Sequence, residues 1–385
     1  VTLSQPILLA LPWVITPIVT LLRARRSRSL DAEAADVPLD APLLSIVVPA
    51  RNEAHNIGRC VASVLASRHP NLELIVVDDH SSDGTGDIVQ TIAAADVRVR
   101  IVVPDPLPAD WFGKQWACAA GAAAARGSVI GFLDADTWQS PDLLPRIVNA
   151  MAARGSDLLT VAGTQELGTL WERLLQPQIF AILLARYGGT EVVNESRHVR
   201  NKIANGQCLF VRRVAYEAVG GHASVRGKVA EDLALAHRFF EHGYRTTVVL
   251  GLAQLSTRMY TSLRELIAGW GKNIYAGGAD AMPLGAFGRA VYPLLLLLPS
   301  LSGLLPPVLL LLALAGVIGH GWLVWSAIVF AVNLVWWLAT YVALGLSPLY
   351  ALLHPLGAAM LLYISVRAIA RGRRVEWKGR GYIAR

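Results

Sequence analysis

Three cysteines, Cys60, Cys118 and Cys208, are all that the 385 residues contain. They are odd in number and far apart, which excludes a disulfide framework and the paired spacing of a zinc site. Charge is scarce as well: Asp, Glu, Lys and Arg make up 16% of the chain, against 54% hydrophobic residues. The scarcity is uneven, because none of those four residue types occurs from 291 to 366. So long an apolar tract argues against a wholly soluble protein and for a polar domain held between membrane segments. The formal net charge is +7. Aromatic residues do not interleave with the basic ones as on a nucleic-acid-binding face, so no nucleic acid partner is expected. Much of the charge lies in two clusters beside apolar segments: Arg23, Arg25, Arg26 and Arg28, then Arg367, Arg371, Arg373, Arg374, Lys378, Arg380 and Arg385. Arginines flanking membrane spans favour the cytoplasmic side and anionic headgroups.

Residues 3–22 are apolar and about long enough to span, since a bilayer core takes roughly 20 helical residues. A cleaved signal peptide carries its positive charge before the apolar run; here the charge follows. Residues 1–28 therefore read as an uncleaved anchor with its C-terminal end in the cytosol, and the polar stretch 29–42 as a linker. From residue 43 the pattern changes. Short β-branched apolar runs, LLSIVVP (43–49), LELIVVD (72–78), the run near 98–103 and VIGFLDAD (129–136), alternate with helical spacing over 54–67, 84–95 and 115–125. This predicts an α/β domain over 43–260 with a mainly parallel, buried sheet. Ligands bind such sheets beyond the carboxyl ends of the strands, where Asp78–Asp79 and Asp134–Asp136 both fall.

Residues 261–290 read as an interfacial amphipathic segment, 291–366 as a C-terminal transmembrane region and 367–385 as a basic cytoplasmic tail. Apolar segments occur at 291–318, 322–345 and 349–366, the first interrupted by Pro299 and by Pro306–Pro307. With the polar domain inside, three full spans would put the arginine-rich tail outside, against the positive-inside preference. Either 291–318 is a broken or re-entrant hairpin, or one segment lies in the interface. Residues 168–190 and 261–275 mix apolar, aromatic and basic residues, as surface-lying membrane helices do; ordinary amphipathic core helices share that pattern.

Five blocks carry chemistry. Asp134-Ala135-Asp136 follows a buried strand, and two carboxylates so held can take a hard divalent cation, Mg²⁺ or Mn²⁺, together with substrate phosphates. VVDDHSSDGT (76–85) runs a strand into Asp78 and Asp79, which can accept from a nucleobase N–H or a ribose hydroxyl; Ser81, Ser82 or Asp83 can instead cap the next helix. PARNEAHNIG (49–58) brings Asn52 and Glu53 to the same crevice, or to a cap. Lys114, in WFGKQWACAAG (111–121), stands at a helix start that suits a phosphate. Glu231–Asp232 opens a helix ending near His242 and Gly243. These carboxylates either complement the helix dipole or supply a general base.

In this order the blocks resemble the family-2 glycosyltransferases of the GT-A, Rossmann-like fold, over roughly 43–275. Glu53, Asp78 and Lys114 are placed to line the donor site, and the resemblance implies that Asp79 contacts the nucleotide base and Asp134 the donor diphosphate. It implies further that Asp134 and Asp136 hold the metal and that Asp232 is the catalytic base of a single inverting displacement. PLPADWFGKQWA, RMYTSLRELIAGWGKN (258–273) and VEWKGRGY (375–382) are similar to membrane-bound members linked to carotenoid and hopanoid glycosylation. Processive members carry Gln-x-x-Arg-Trp after the base. Here the stretch reads Leu266-Ile267-Ala268-Gly269-Trp270, which favours transfer of one sugar. Asn205, Gly206, Glu231, Arg258, Trp270 and Lys272 are candidates for the sugar or acceptor, with Arg212, Arg213 and Tyr260 beside them. For Arg258, Tyr260, Trp270 and Lys272 an interfacial anchor is the competing role, and for the Trp377–Lys378 pair it is the favoured one.

The expected function is thus a metal-dependent, inverting transfer of one sugar from a nucleotide sugar, with UDP favoured, to a lipid or lipid-linked hydroxyl. The expected place is the inner cell membrane, multi-pass, with the catalytic domain cytoplasmic. The alternative is a polyprenyl-phosphate acceptor. A glycoside hydrolase would have no use for the Asp79 and Lys114 blocks. A transporter or scaffold would put polar groups inside the spans, where only Asn333, His320 and His354 offer themselves.

Overall fold

The computed structural model describes residues 4–280, 282, 285–377 and 380–383. The chain divides into two compact units. One comprises residues 27–166, 190–259 and 373–385, and the other residues 1–26, 167–189 and 260–372.

The strands, in chain order, are β1 Leu44–Ala50, β2 Leu72–Asp78, β3 Val99–Val102, β4 Val129–Leu133, β5 Thr137–Gln139 and β6 Leu158–Ala162. There follow β7 Thr164–Gln165, β8 Cys208–Arg212, β9 Thr246–Leu250, β10 Leu255–Thr257, β11 Arg374–Trp377 and β12 Arg380–Ile383. The helices are α1 Ser4–Ala24, α2 Ile57–Leu65, α3 Thr85–Ala95, α4 Gly113–Ala124, α5 Leu143–Arg154, α6 Leu170–Tyr187 and α7 Thr190–Asn194. After them come α8 Arg213–Ala218, α9 Glu231–Glu241, α10 Leu263–Lys272, α11 Gly278–Asp280, α12 Gly285–Leu314, α13 His320–Ala343 and α14 His354–Arg371.

In the first unit, seven of the described strands form one sheet in the order β3-β2-β1-β4-β8-β6-β9. It is the mainly parallel α/β sheet expected from the apolar runs. Ile46, Val47, Val48, Leu74, Ile75 and Val76 are fully buried, as residues covered on both faces of a sheet must be; each such side chain contributes about 1.5–3 kcal/mol. α4 lies across β1 and β2 at a distance that only glycine allows, because a Cβ at Gly121 would collide with the Val47 side chain.

Register decides what meets at the sheet's edge. β1 pairs in parallel with β2 from Leu44↔Leu72 to Ala50↔Asp78, and with β4 from Leu44↔Val129 to Val47↔Phe132. The residues after β2 and after β4 therefore emerge on one side. β8 runs antiparallel to β4, with Cys208 opposite Leu133, so the residues just before β8 reach that same side. The Asp134 N–H donates to the Gln207 carbonyl at 3.2 Å. Arg212 and Arg213 fall at the opposite edge, where Arg212 Nε donates to the Ser156 carbonyl and Arg213 Nε to the Gly127 carbonyl. They take no part in a sugar pocket at the carboxyl edge, because an antiparallel strand carries its two ends to opposite sides. A smaller sheet, β5-β10-β7, pairs Thr257 with Thr137, and Thr257 Oγ1 donates to the Asp136 carbonyl at 3.1 Å. β11 and β12 form an antiparallel pair, Arg374↔Ile383 to Trp377↔Arg380. Lys378 and Arg385 lie outside the described residues.

In the second unit, α1, α12, α13 and the segment 348–371 that contains α14 are, among the described residues, long and apolar enough to cross a membrane. α6 and α10, the two segments of mixed character, belong to this unit, and α14 packs on both. α12 is continuous from Gly285 to Leu314 although Pro293, Pro299, Pro306 and Pro307 lie inside it. This corrects the expectation of a broken hairpin. Pro306 has no N–H for the Ser302 carbonyl, and that carbonyl instead accepts from Trp13 Nε1 and Asn333 Nδ2, each at 3.4 Å. Neighbouring helices restore in this way what proline removes at membrane depth. Asn333, inside α13, is accounted for by the same contact.

Candidate functional site

The loops after β1 and β2 are sewn together at the carboxyl edge. The Asn52 N–H donates to Ser81 Oγ at 3.0 Å, Asn52 Oδ1 accepts from the Ser82 N–H at 2.9 Å, and the Glu53 N–H donates to Thr85 Oγ1 at 2.8 Å. Asn52 and His80 both have positive φ, 54° and 56°, a conformation tolerated where local side-chain bonds hold the turn. Asp83 Oδ1 accepts from the Thr85 N–H at 3.1 Å and holds the turn before α3, whose N-cap position is Gly84 without a side-chain cap. Glu53 Oε2 accepts from Asn56 Nδ2 at 3.0 Å.

The two aspartates after β2 have different tasks. Asp78 Oδ1 accepts from the Ser81 N–H at 3.0 Å and holds the turn. Asp79 is 1% exposed and meets two arginines. Arg380 donates to it through both terminal nitrogens, at 2.6 and 3.3 Å, and Arg51 Nη1 lies 3.9 Å from Oδ2. Arg380 and Arg51 were not singled out as site residues in the sequence. Arg380 stands 301 positions from Asp79, and no local pattern links residues so separated.

The second cluster is acidic around one lysine. Lys114 Nζ lies 2.7 Å from Asp134 Oδ1 and 3.1 Å from Glu231 Oε1. Burial works against the charge of Lys114, but Asp134 and Glu231 outweigh it and hold the ammonium well above its ordinary value. Burial raises Asp134 above the usual carboxylate range although Lys114 pulls it down. Burial, then the charges of Asp134 and Glu53, push Asp136 up to about 7. Asp136 Oδ1 is buried and has no hydrogen-bond partner among the described residues. Asp232 is raised to about 6, first by burial and next by Glu231; its Oδ2 accepts from the Gly206 N–H at 2.7 Å.

A cavity beside this cluster is lined by Lys114, Asp134, Gly206, His222, Glu231 and Asp232, among others. Gly206 has to be small there, since a Cβ would come within 3.2 Å of both Asp232 Oδ2 and Lys114 Nζ. His222 is a lining residue that sequence patterns did not reveal. Burial lowers it to about 4, hence neutral, and its Nδ1 pairs with the Tyr216 hydroxyl at 2.8 Å. The Asn205 side chain is spent on structure, with Nδ2 donating to the Val161 carbonyl at 3.2 Å. Trp270 and Lys272 belong to α10 in the other unit, where the Trp270 ring packs edge-on against Tyr260 at 6.1 Å. The three cysteines are buried and unpaired.

Among the described residues, no group of three or more His, Cys, Asp and Glu is arranged to hold a metal. The donor set of Asp134 and Asp136 nevertheless fits a hard divalent cation: it is all oxygen, one atom is orphaned, and the carboxylates crowd each other. Lys114 supplies the positive charge at this point.

Residues 45–220 match the family model described as Glycosyl transferase family 2. The 4,4'-diaponeurosporenoate glycosyltransferase of Staphylococcus aureus strain USA300 is 28% identical over 278 residues, covering 70% of this chain and 72% of that one. The enzyme of the same name from strain N315 is 29% identical over 244 residues, covering 62% and 63%. A solved mannosyltransferase from Pyrobaculum calidifontis, in complex with GDP-Man and Mn²⁺, superposes with TM-score 0.60 at 19% identity, covering 96% of this chain and 99% of that one. Residues 45–220 thus carry the family-2 glycosyltransferase match, the fold is GT-A, and the protein is a glycosyltransferase.

Proposed function

We propose that this family-2 glycosyltransferase moves one sugar from a nucleoside diphosphate donor, UDP-linked in the favoured case, to a lipid acceptor, and inverts the anomeric carbon. The observation that carries the reading is the convergence of Lys114, Asp134, Glu231 and Asp232 on one crevice, with Asp136 next to Asp134 and two carboxylates raised toward neutrality. Asp232 takes the proton of the acceptor hydroxyl. A carboxyl held near 6 is a stronger base than an ordinary aspartate and is still ionised at neutral pH. The acceptor oxygen bonds to the anomeric carbon as the bond to the diphosphate oxygen breaks, and the nucleoside diphosphate leaves with the electron pair. Lys114 holds negative charge at the leaving side. Asp134 and Asp136 are the residues to hold a divalent ion, which when bound neutralises diphosphate charge. Asp79 reads the base.

A membrane acceptor accords with the four apolar helices and with relatives named for a carotenoid-derived acid. That name describes a carboxylate. Together with the polyprenyl phosphate alternative, it keeps open an acceptor that is already ionised and needs no base. For the topology, we place the tail on the same side as the crevice, supported by the Arg380–Asp79 pair. An even number of crossings between residues 285 and 372 follows, with α14 lying in the interface against α6 and α10. Cysteine labelling of tail residue 373 from either side of sealed vesicles tests this.

The functional experiment is release of nucleoside diphosphate from a panel of nucleotide sugars, by protein in detergent with membrane lipid extract and Mn²⁺ or Mg²⁺. Asp136→Ala is run alongside. Turnover of one donor, lost in the variant, is the expected result. Equal turnover in the variant removes Asp136 from the mechanism.

A further inference from the structure

The tail strands β11 and β12 belong to the unit that contains the crevice, and they meet it at two points on different elements. At the end of β2, the Arg380 guanidinium forks onto both carboxylate oxygens of Asp79, at 2.6 and 3.3 Å. At the start of α4, the Tyr382 hydroxyl accepts from the Gly113 N–H at 3.3 Å, and its ring stands edge-on to Phe112 at 4.5 Å. The next residue along α4 is Lys114, which pairs with Asp134. The strand pair thus touches both the base-reading end and the phosphate end of the donor site.

A carboxylate 1% exposed cannot accept from an incoming base while a guanidinium fills its open side. The two N–H groups of Arg380 occupy the positions in which a nucleobase N–H would donate. The pair is also well made. Burial works against the charge of Arg380, yet the hydrogen bond and charge of Asp79 outweigh it and raise the guanidinium above its usual value.

We propose that the β11–β12 strand pair is a displaceable lid on the donor site, with Arg380 standing in for the nucleobase at Asp79 until a nucleoside diphosphate displaces it. The lid rests on the assignment of Asp79 as the base reader. It gives the tail a task that neither its basic composition nor an anchoring role requires. Donor binding and tail release are then one equilibrium. Apparent donor affinity is lowered by the fraction of molecules with the lid seated, and without donor Asp79 stays covered from solvent.

The test is calorimetric titration of UDP, and then GDP, into the full-length protein in detergent, for wild type, Arg380→Ala, Arg380→Lys and Asp79→Ala in the Arg380→Ala background. Backbone hydrogen exchange of residues 374–383 is followed with and without UDP. A seated lid predicts that Arg380→Ala binds the cognate nucleotide about fivefold more tightly, since a partly exposed ion pair no longer has to be broken. Arg380→Lys, with charge but no fork, falls between. In the wild type the nucleotide speeds exchange in residues 374–383. Weaker binding by Arg380→Ala makes Arg380 a donor ligand and overturns the lid. Unchanged binding reduces the pair to packing and overturns it too, as does exchange that slows or stays constant with nucleotide. Asp79→Ala in the Arg380→Ala background separates the two assignments, because the lid is already released there. If it leaves the affinity of that background unchanged, the base-reading role falls and the lid falls with it. If it weakens binding while Arg380→Ala alone fails to tighten it, the lid alone falls.

Discussion

Asp78–Asp79 after β2 and Asp134–Asp136 after β4 look alike in sequence, each a buried strand that runs into two carboxylates. The fold treats them differently. The first pair is discharged: Asp78 is bound by its own turn, and Asp79 by Arg380 and Arg51. The second is left in deficit. Asp134 and Glu231 share Lys114, while Asp232 and Asp136, whose Oδ1 is orphaned, form no ion pair with it among the described residues. A strand end delivers acidic groups, but the cations brought by other parts of the chain decide whether they become ballast or chemistry.

Loss of the deficit pair should produce the largest effect. Asp136→Ala or Asp134→Ala should lower kcat on the order of 10³-fold or more, measured as nucleoside diphosphate release under saturating donor. A change under tenfold would make the two clusters equivalent and break the comparison. Asp232→Asn should lower kcat about 10²–10⁴-fold if the acceptor is a hydroxyl. Rates on a hydroxyl acceptor and on a polyprenyl phosphate check this, because an ionised acceptor should be nearly indifferent to the substitution.

Replacing the discharged aspartate should act on binding and leave the chemical step alone. Asp79→Asn should raise KM for the donor about tenfold, the usual worth of a charge-assisted hydrogen bond, with kcat nearly unchanged. A fall in kcat without a KM effect would move Asp79 to the chemical step.

The last effect is on pH. Asp136 and Asp232 have folded values of about 7 and about 6, above the 3.8 of an ordinary aspartate. Between pH 4 and 7 the folded state therefore binds more protons than the unfolded one, and stability falls as pH rises through that window. Thermal unfolding without added metal should move to lower temperature from pH 5 to 7.5, and the slope should flatten in Asp136→Asn. Activity should rise over the same range as Asp232 ionises. A melting temperature that climbs with pH in the wild type would show that the crowding of carboxylates is relieved by some other cation.

The α/β alternation was legible because strands covered on both faces must be apolar throughout, and LLSIVVP, LELIVVD and VIGFL have no polar partner face. Asp134, Asp136, Lys114 and Asp232 were legible because each stands at a strand end or helix start, where local pattern and edge position coincide. Three features were not. Residues 167–189 sit inside the stretch assigned to the α/β domain, yet they join the apolar unit; amphipathic spacing shows that a helix has an apolar face but not what covers it. α12 keeps its course past four prolines, and at Pro306 Trp13 and Asn333 serve the carbonyl that proline abandons. Arg380 reads as one more arginine in a basic tail.

The sequence by itself determined the order of strands and helices, the apolar segments, and which side chains stand at the ends of strands. Backbone sterics and burial act over a few residues, so their signature is local. Only the tertiary structure decided which carboxylates keep a bare oxygen and which surrender theirs to an arginine. Charge state depends on neighbours within a few ångströms in space, and those neighbours can lie hundreds of residues away along the chain.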